Sequence, residues 1–210
     1  MTVVARGFAA AYASVCYEVF VTANANRVDE RRGVEATRTP GFVVWLTGLP
    51  CAGKSTLARA LIPALSRTHP CEVLDGDVVR QHLSQELGFS RRDRDMNVQR
   101  IGFVAGLLAR HGVAVVVAAV SPYRDARVAV RRSVERFVEV FVDCPLKVCE
   151  ERDVKGMYAR ARRGQLPSFT GVDAPYEPPV SPEVVLETSA ESLAECVDRV
   201  AAALRRLEYL

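Results

Sequence analysis

The chain has 210 residues, 49% of them hydrophobic, with 28 basic and 25 acidic side chains for a net charge of +3. That length suits one well-buried α/β domain and not two. The apolar share excludes a wholly disordered chain, and so mild a charge does not point to a nucleic-acid partner, which calls for a denser basic patch.

The first 40 residues differ from the rest. Residues 8–25 are fairly apolar and follow Arg6, but Glu18 interrupts them, so a cleaved signal peptide is disfavoured. No apolar run is long enough to span a bilayer. YEVFV at 17–21 resembles VEVFV at 138–142, one short match that is read as chance. Residues 27–38 are polar and Pro40-Gly41 punctuates their end, so 1–40 reads as an appendage and linker of unassigned role. Six cysteines (Cys16, Cys51, Cys71, Cys144, Cys149, Cys196) include no C-x-x-C pair, which leaves a zinc or redox site without support. Reduced thiols and a cytoplasmic location are expected.

From residue 42 strands and helices alternate. Strands are predicted at 42–46, 71–74, 113–120, 137–142 and 184–186. The unbroken apolar run at 113–120 suits a central parallel strand buried on both faces. Helices are predicted at 54–66 with a kink at Pro63, and at 78–87, 93–111, 124–136, 146–152 and 191–207. The fold class is therefore α/β: a P-loop NTPase-like parallel sheet with helices on both faces. A Gly-, Pro- and Arg-rich segment at about 155–182 reads as a basic, irregular lid.

Gly48-Leu49-Pro50-Cys51-Ala52-Gly53-Lys54-Ser55 fits G-x-x-x-x-G-K-[ST] between a strand and a helix. Glycines let backbone N–H groups curl around phosphate oxygens, and the following helix aims its positive end at the same anion. The stretch through Thr56 is assigned to ATP, with Lys54 on the β- and γ-phosphates and Ser55 on Mg²⁺. Asp75-Gly76-Asp77 follows the second strand, where ligands of open α/β sheets bind. One carboxylate would organise Mg²⁺ and the other would take the proton of an attacking hydroxyl. An N-cap in a polar turn is the plainer alternative. The strand at 113–120 ends without an acidic residue, which adds weight to Asp75. Arg80, Phe89, Arg94, Asn97 and Arg100 suggest an anionic second substrate with a base to stack, against an exposed helix face and a core Phe89. Ser121-Pro122-Tyr123 ends the apolar strand, where the Ser121 hydroxyl would contact substrate, accept phosphate or merely close a turn.

Together with the P-loop, LDGDVVR (74–80), GFSRRDRDMNVQRIG (88–102), SPYR (121–124), EVFVDCPLKVCEERDVKGMY (139–158) and FTGVDAPYEPP (169–179) resemble the adenylyl-sulfate kinases over about residues 41–210. The resemblance implies transfer of the ATP γ-phosphate to the 3′-hydroxyl of adenylyl sulfate. It places Arg80, Phe89, Arg94 and Asn97 on that acceptor, Lys155 and Phe169 on the lid above it, and Ile101, Ser121, Pro122 and Tyr123 near it. Phe89 and Phe169 would sandwich the adenine. Lys54, Asp75, Asp77 and Ser121 are the catalytic candidates, Ser121 matching a serine described in the family as a phosphoserine carrier. Asp77 is the candidate base, with Asp75 able to exchange roles. The resemblance further implies a homodimer, a functional link to sulfate adenylyltransferase, and neither membrane nor nucleic acid as partner. Pro50-Cys51 stand where many relatives have Ser-Gly, and Phe103 stands where a Glu is common. Two rival readings are a P-loop kinase for another small alcohol and a non-catalytic nucleotide-binding partner of sulfate adenylyltransferase.

Overall fold

A computed structural model of the protein describes residues 39–210. The readings of residues 8–25 and 17–21 lie outside the described residues. Within them, strands β1 (Phe42–Thr47), β2 (Cys71–Asp75), β3 (Ala114–Ala118), β4 (Phe137–Asp143) and β5 (Val184–Glu187) form one parallel sheet in the order β2-β3-β1-β4-β5. Val44 of β1 lies opposite Val116 of β3 on one side and Val138 of β4 on the other. The centre of the sheet is thus β1. β3, which the apolar run suggested as central, is one strand out, although all five of its residues are buried.

Period-two alternation sorts β1 onto two cores. Phe42, Val44 and Leu46 face α1 (Lys54–Leu65) and the closing α7 (Leu193–Arg206). Val43 and Trp45 face α3 (Arg91–Arg110) and α4 (Arg124–Ser133). Each fully buried Val, Leu or Phe on these layers contributes about 1.5–3 kcal/mol through the hydrophobic effect. α1 continues through Pro63, close enough to its end that the missing N–H forgoes one late hydrogen bond.

Local capping sets several boundaries that apolar spacing alone misplaces. The helix expected from residue 78 begins two residues earlier, as α2 (Gly76–Leu83), because the Asp75 carboxylate accepts from the Asp77 N–H. It ends at Leu83, whose carbonyl is taken by Arg100 of α3 at 2.6 Å. α3 starts at Arg91 because Ser90 caps it, accepting from Asp93 N–H. The segment expected to be an irregular lid carries a helix of its own, α6 (Met157–Arg162), just beyond α5 (Leu146–Arg152). Gly156, in the left-handed region at φ 63°, turns the chain into α6, and the Asp153 carboxylate accepts from the N–H groups of Tyr158 and Ala159. Pro40 is tied into the sheet unit: its carbonyl accepts from Arg136 at 2.7 Å and pairs with His69 Nε2 at 3.2 Å.

Candidate active site

One cleft of about 880 Å³ opens over the carboxyl ends of the strands. Its floor is the P-loop between β1 and α1. Gly48 is required because a Cβ there would sit 2.4 Å from the Val142 carbonyl oxygen. Gly53 takes φ 105°, and Cys51 takes φ 59°, a left-handed conformation unusual for a residue with a side chain and easier for glycine. Lys54 is 7% exposed, and its Nζ donates to the carbonyls of Gly48 at 2.9 Å and Leu49 at 2.6 Å. Burial pushes its pKa down to about 8, partly opposed by Cys149, Cys51, Asp77 and Asp75. Pro50, Cys51, Gly53, Ser55 and Thr56 also line the cleft. Ala52 instead packs in the core, and Leu49 packs against that core beneath Gly171 of the lid.

On the β2 side, the Ser55 hydroxyl donates to Asp75 Oδ2 at 2.6 Å, while Oδ1 accepts from Asp77 N–H. Hydroxyl and carboxylate are hard oxygen donors that suit Mg²⁺, an ion that takes one or two protein side chains and fills its shell with water and phosphate oxygens. The described residues hold no cluster of three or more His, Cys, Asp or Glu suited to a metal. Asp77 pairs with Lys155 of the lid, and that hydrogen bond raises the lysine's pKa.

The far wall carries the acceptor candidates. Phe89 is 57% exposed, so the core alternative for this ring is not what the structure shows. The Arg80 guanidinium lies 4.3 Å from its centroid and that of Arg94 5.5 Å away. Arg80 is braced on the carbonyls of Leu87 and Gly88, and Arg94 on those of Phe89 and Ser168 and on the Thr170 hydroxyl. The Asn97 side-chain oxygen is buried with no hydrogen-bond partner among the described residues, which leaves it open to a ligand. Phe169 meets Tyr158 edge-on at 5.0 Å and packs against the core, so it is only half available to the cleft. Ile101 is fully buried in the core, and Tyr123 lies under the Arg91 guanidinium, so neither lines the cleft. Arg100 braces the Leu83 carbonyl instead of facing it.

Ser121 and Pro122 do line it, but the Ser121 hydroxyl is engaged. It accepts from Trp45 Nε1 at 3.0 Å, its single proton is shared between Thr47 Oγ1 at 3.0 Å and the Ala119 carbonyl at 3.3 Å, and the residue is 3% exposed with φ 40°. Sequence reasoning passed over Arg152 and Thr188, which line the end of the cleft beyond the P-loop: Arg152 donates to the Thr188 carbonyl, and the Thr188 hydroxyl to the Ala52 carbonyl. It also passed over Arg127, Glu139, Tyr176 and Glu177 behind the Ser121 turn. The APYEPP stretch was visible, but only as part of a lid and of a motif shared with the family, with no role given to Tyr176 or Glu177.

A P-loop on a five-stranded parallel sheet, with a hydrogen-bonded Ser55–Asp75 corner, an arginine-rich second wall and a lid, has the make-up of a P-loop kinase of a small anionic acceptor. The family model for adenylylsulphate kinase matches residues 40–187. The chain is 58% identical over 171 residues to the adenylyl-sulfate kinase of Synechococcus sp. (strain JA-3-3Ab), covering 81% of this chain and 97% of that one. It is also 58% identical to the enzyme of Chloroflexus aurantiacus, over 83% and 94% of the two chains. The Mycobacterium tuberculosis APS kinase CysC, solved in complex with AMPPNP and APS, superposes with a TM-score of 0.76 at 41% identity, over 79% of this chain and 98% of that one. The chain belongs to the adenylyl-sulfate kinase family.

Proposed function

We infer that this protein is an ATP-dependent kinase that phosphorylates the 3′-hydroxyl of adenylyl sulfate. The observation that carries the reading is the exposed Phe89 ring with two guanidiniums near it, in the same cleft as Lys54. A flat apolar surface flanked by fixed cations suits a base joined to an anionic sulfate ester. In the reaction the acceptor oxygen bonds to the γ-phosphorus, the bond from that phosphorus to the β–γ bridging oxygen breaks, and the products are ADP and 3′-phosphoadenylyl sulfate.

Lys54 and the P-loop amides hold the donor phosphates. Ser55 and Asp75 would hold Mg²⁺, which supplies charge neutralisation of the phosphates. Both Asp75 oxygens are engaged, one by Ser55 and one by the α2 cap, which supports assigning the acceptor proton to Asp77. Its pairing with Lys155 supports a reading in which the lid reaches that base. The three bonds of the Ser121 hydroxyl support a positioning role for that residue over phosphate carriage.

A homodimer, a functional link to sulfate adenylyltransferase and a cytoplasmic site of action belong to the same reading and rest on family resemblance. Among the described residues no helix is long and apolar enough to cross a membrane. The division into a kinase unit and an appendage at 1–40 is part of the proposal.

The test is a panel in which purified protein, ATP and Mg²⁺ meet adenylyl sulfate, gluconate, shikimate and nucleoside monophosphates. Adenylyl sulfate should exceed the others in kcat/KM by about a hundredfold or more, the discrimination that unpaired buried polar groups impose on poor fits. Parity with any of the other acceptors would return the protein to the generic small-alcohol kinases.

A further inference from the structure

We propose that Arg127 is a positioning residue for the acceptor, joining the stem of the lid to the Ser121 turn; the proposal rests on the functional reading above. Arg127 stands on α4 behind the cleft, 1% exposed, and is not itself among the residues that line the cleft, which it meets only through the Ser121 backbone. Its guanidinium makes three bonds to three different elements. Nε donates to Glu139 of β4 at 2.8 Å, Nη1 to the Ser121 carbonyl at 2.6 Å, and Nη2 to the Glu177 carbonyl at 2.6 Å. A planar fork of this kind fixes the distance and angle between its acceptors, which a lysine cannot do.

The two carbonyls it joins belong to the two sides of the acceptor site. Ser121 ends the β3 edge in a left-handed conformation at φ 40°, one that persists only where its surroundings hold it. Glu177 closes the segment that carries Phe169 and Thr170. Further bonds reinforce the same junction. Glu177 N–H donates to the Pro122 carbonyl at 2.8 Å, and its carboxylate accepts from Arg124 N–H at 2.8 Å. The Tyr176 hydroxyl meets Thr47 Oγ1 at 2.9 Å; the Thr47 proton goes to the Val120 carbonyl, so Tyr176 is the donor. Glu139 is itself held, its N–H donating to Glu183 at 2.6 Å. The lid is therefore anchored at its stem by a group of bonds with one buried cation, Arg127, at its centre. Arg127 itself bonds no residue of the P-loop, and the nearest tie, Tyr176 to Thr47, stops one residue short of Gly48, so the loss of Arg127 should fall on the acceptor more than on the donor.

Three full-length variants test this. Arg127→Lys keeps the charge and loses the fork. The KM for adenylyl sulfate should rise about tenfold or more, the scale of a lost hydrogen bond from a charged group, with the KM for ATP unchanged within about twofold. The paired Arg127→Met, Glu139→Met change removes both buried charges together, which spares the protein an uncompensated ion. Its melting temperature should fall only by the loss of the two carbonyl bonds, about a few degrees, while the acceptor KM remains raised about tenfold, an outcome that a merely structural ion pair does not give. Tyr176→Phe removes only the hydroxyl tie, keeps the fold, and should raise the acceptor KM by about threefold. Limited trypsin digestion at Lys155 to Arg163 supplies a readout independent of any substrate, and cleavage should be faster in all three variants. Wild-type protein that does not phosphorylate adenylyl sulfate would overturn the functional reading, and the digestion would still decide the lid anchor. A paired variant with wild-type acceptor KM, donor and acceptor KM rising together, or unaltered KM and cleavage in Tyr176→Phe would each overturn the positioning role.

Discussion

Replacing Phe89 by alanine separates a ring that binds ligand from a ring that packs. Its neighbours in the fold are the two guanidiniums of Arg80 and Arg94 and no core side chain. Exposed cation–π pairs are worth about 0.5–1 kcal/mol each at most, and at 4.3 Å and 5.5 Å the two together are set at about 1 kcal/mol. For a chain of this size that lowers the melting temperature by about 2–4 °C. A base stacked on the ring is worth about 1–3 kcal/mol, which converts to about a 5- to 150-fold loss in kcat/KM for adenylyl sulfate. The KM for ATP should stay within about twofold, because the P-loop holds the donor through its phosphates. Phe169 is the internal contrast. Its ring is edge-on to Tyr158 and packed against the core, so Phe169→Ala should show a similar acceptor loss and also lose about 2 kcal/mol of stability, or about 4–8 °C. Steady-state kinetics with each substrate varied, beside thermal melting, give both numbers. If Phe89→Ala retains acceptor kcat/KM within twofold, no base stacks on that ring and the sandwich is wrong.

The donor half of the site was more legible in the sequence than the acceptor half, and the reason is the range of the interactions. The P-loop depends on glycine spacing and on its place between an apolar run and a helix, all within about ten residues, and Asp75 announces itself by ending β2. Where a boundary depends on a remote partner the sequence is silent. The apolar spacing of α2 continues toward Leu87, yet the helix stops at Leu83 because Arg100, 17 positions on, takes that carbonyl. α6 was hidden because Gly, Arg and Lys composition reads as loop, whereas Gly156 and the Asp153 carboxylate cap a short helix there. Ile101 and Tyr123 came to the site through resemblance, and the structure puts one in the core and the other beneath Arg91. Arg127 and Glu139 show the limit most clearly. Each looks like a stray charge on an apolar helix face or in a strand, and only the packing of α4 on β4 makes them a pair at 2.8 Å.

Deleting residues 1–38 should leave both the melting transition and kinase activity within about twofold of the full chain, because β1 begins at Phe42 and Pro40 supplies the first anchoring carbonyl; a truncated protein that no longer melts cooperatively would show that the appendage belongs to the core. The pH dependence of donor use should report Lys54. Burial holds its pKa at about 8 against an ordinary 10.5, while Asp75, Asp77, Cys51 and Cys149 pull the other way. Only the protonated amine attracts phosphate, so kcat/KM for ATP should be flat near neutrality and fall about tenfold per pH unit once the lysine has lost its proton. Stability should move in the opposite sense. The folded pKa lies below the unfolded one, so between about 8 and 10.5 the unfolded chain keeps a proton that the native state has released, and this group's contribution to stability rises with pH across that window. Arginines cannot mimic the effect because they do not titrate there. Comparing urea denaturation of wild type with Lys54→Met at pH 7, 8, 9 and 10 isolates the lysine from the tyrosines and cysteines that ionise nearby. The wild type should gain stability relative to the variant as pH rises, while its ATP kcat/KM declines. A donor profile flat to pH 10, or a stability difference that does not change with pH, would mean that Lys54 keeps an ordinary pKa, and that its bonds to the Gly48 and Leu49 carbonyls outweigh its burial.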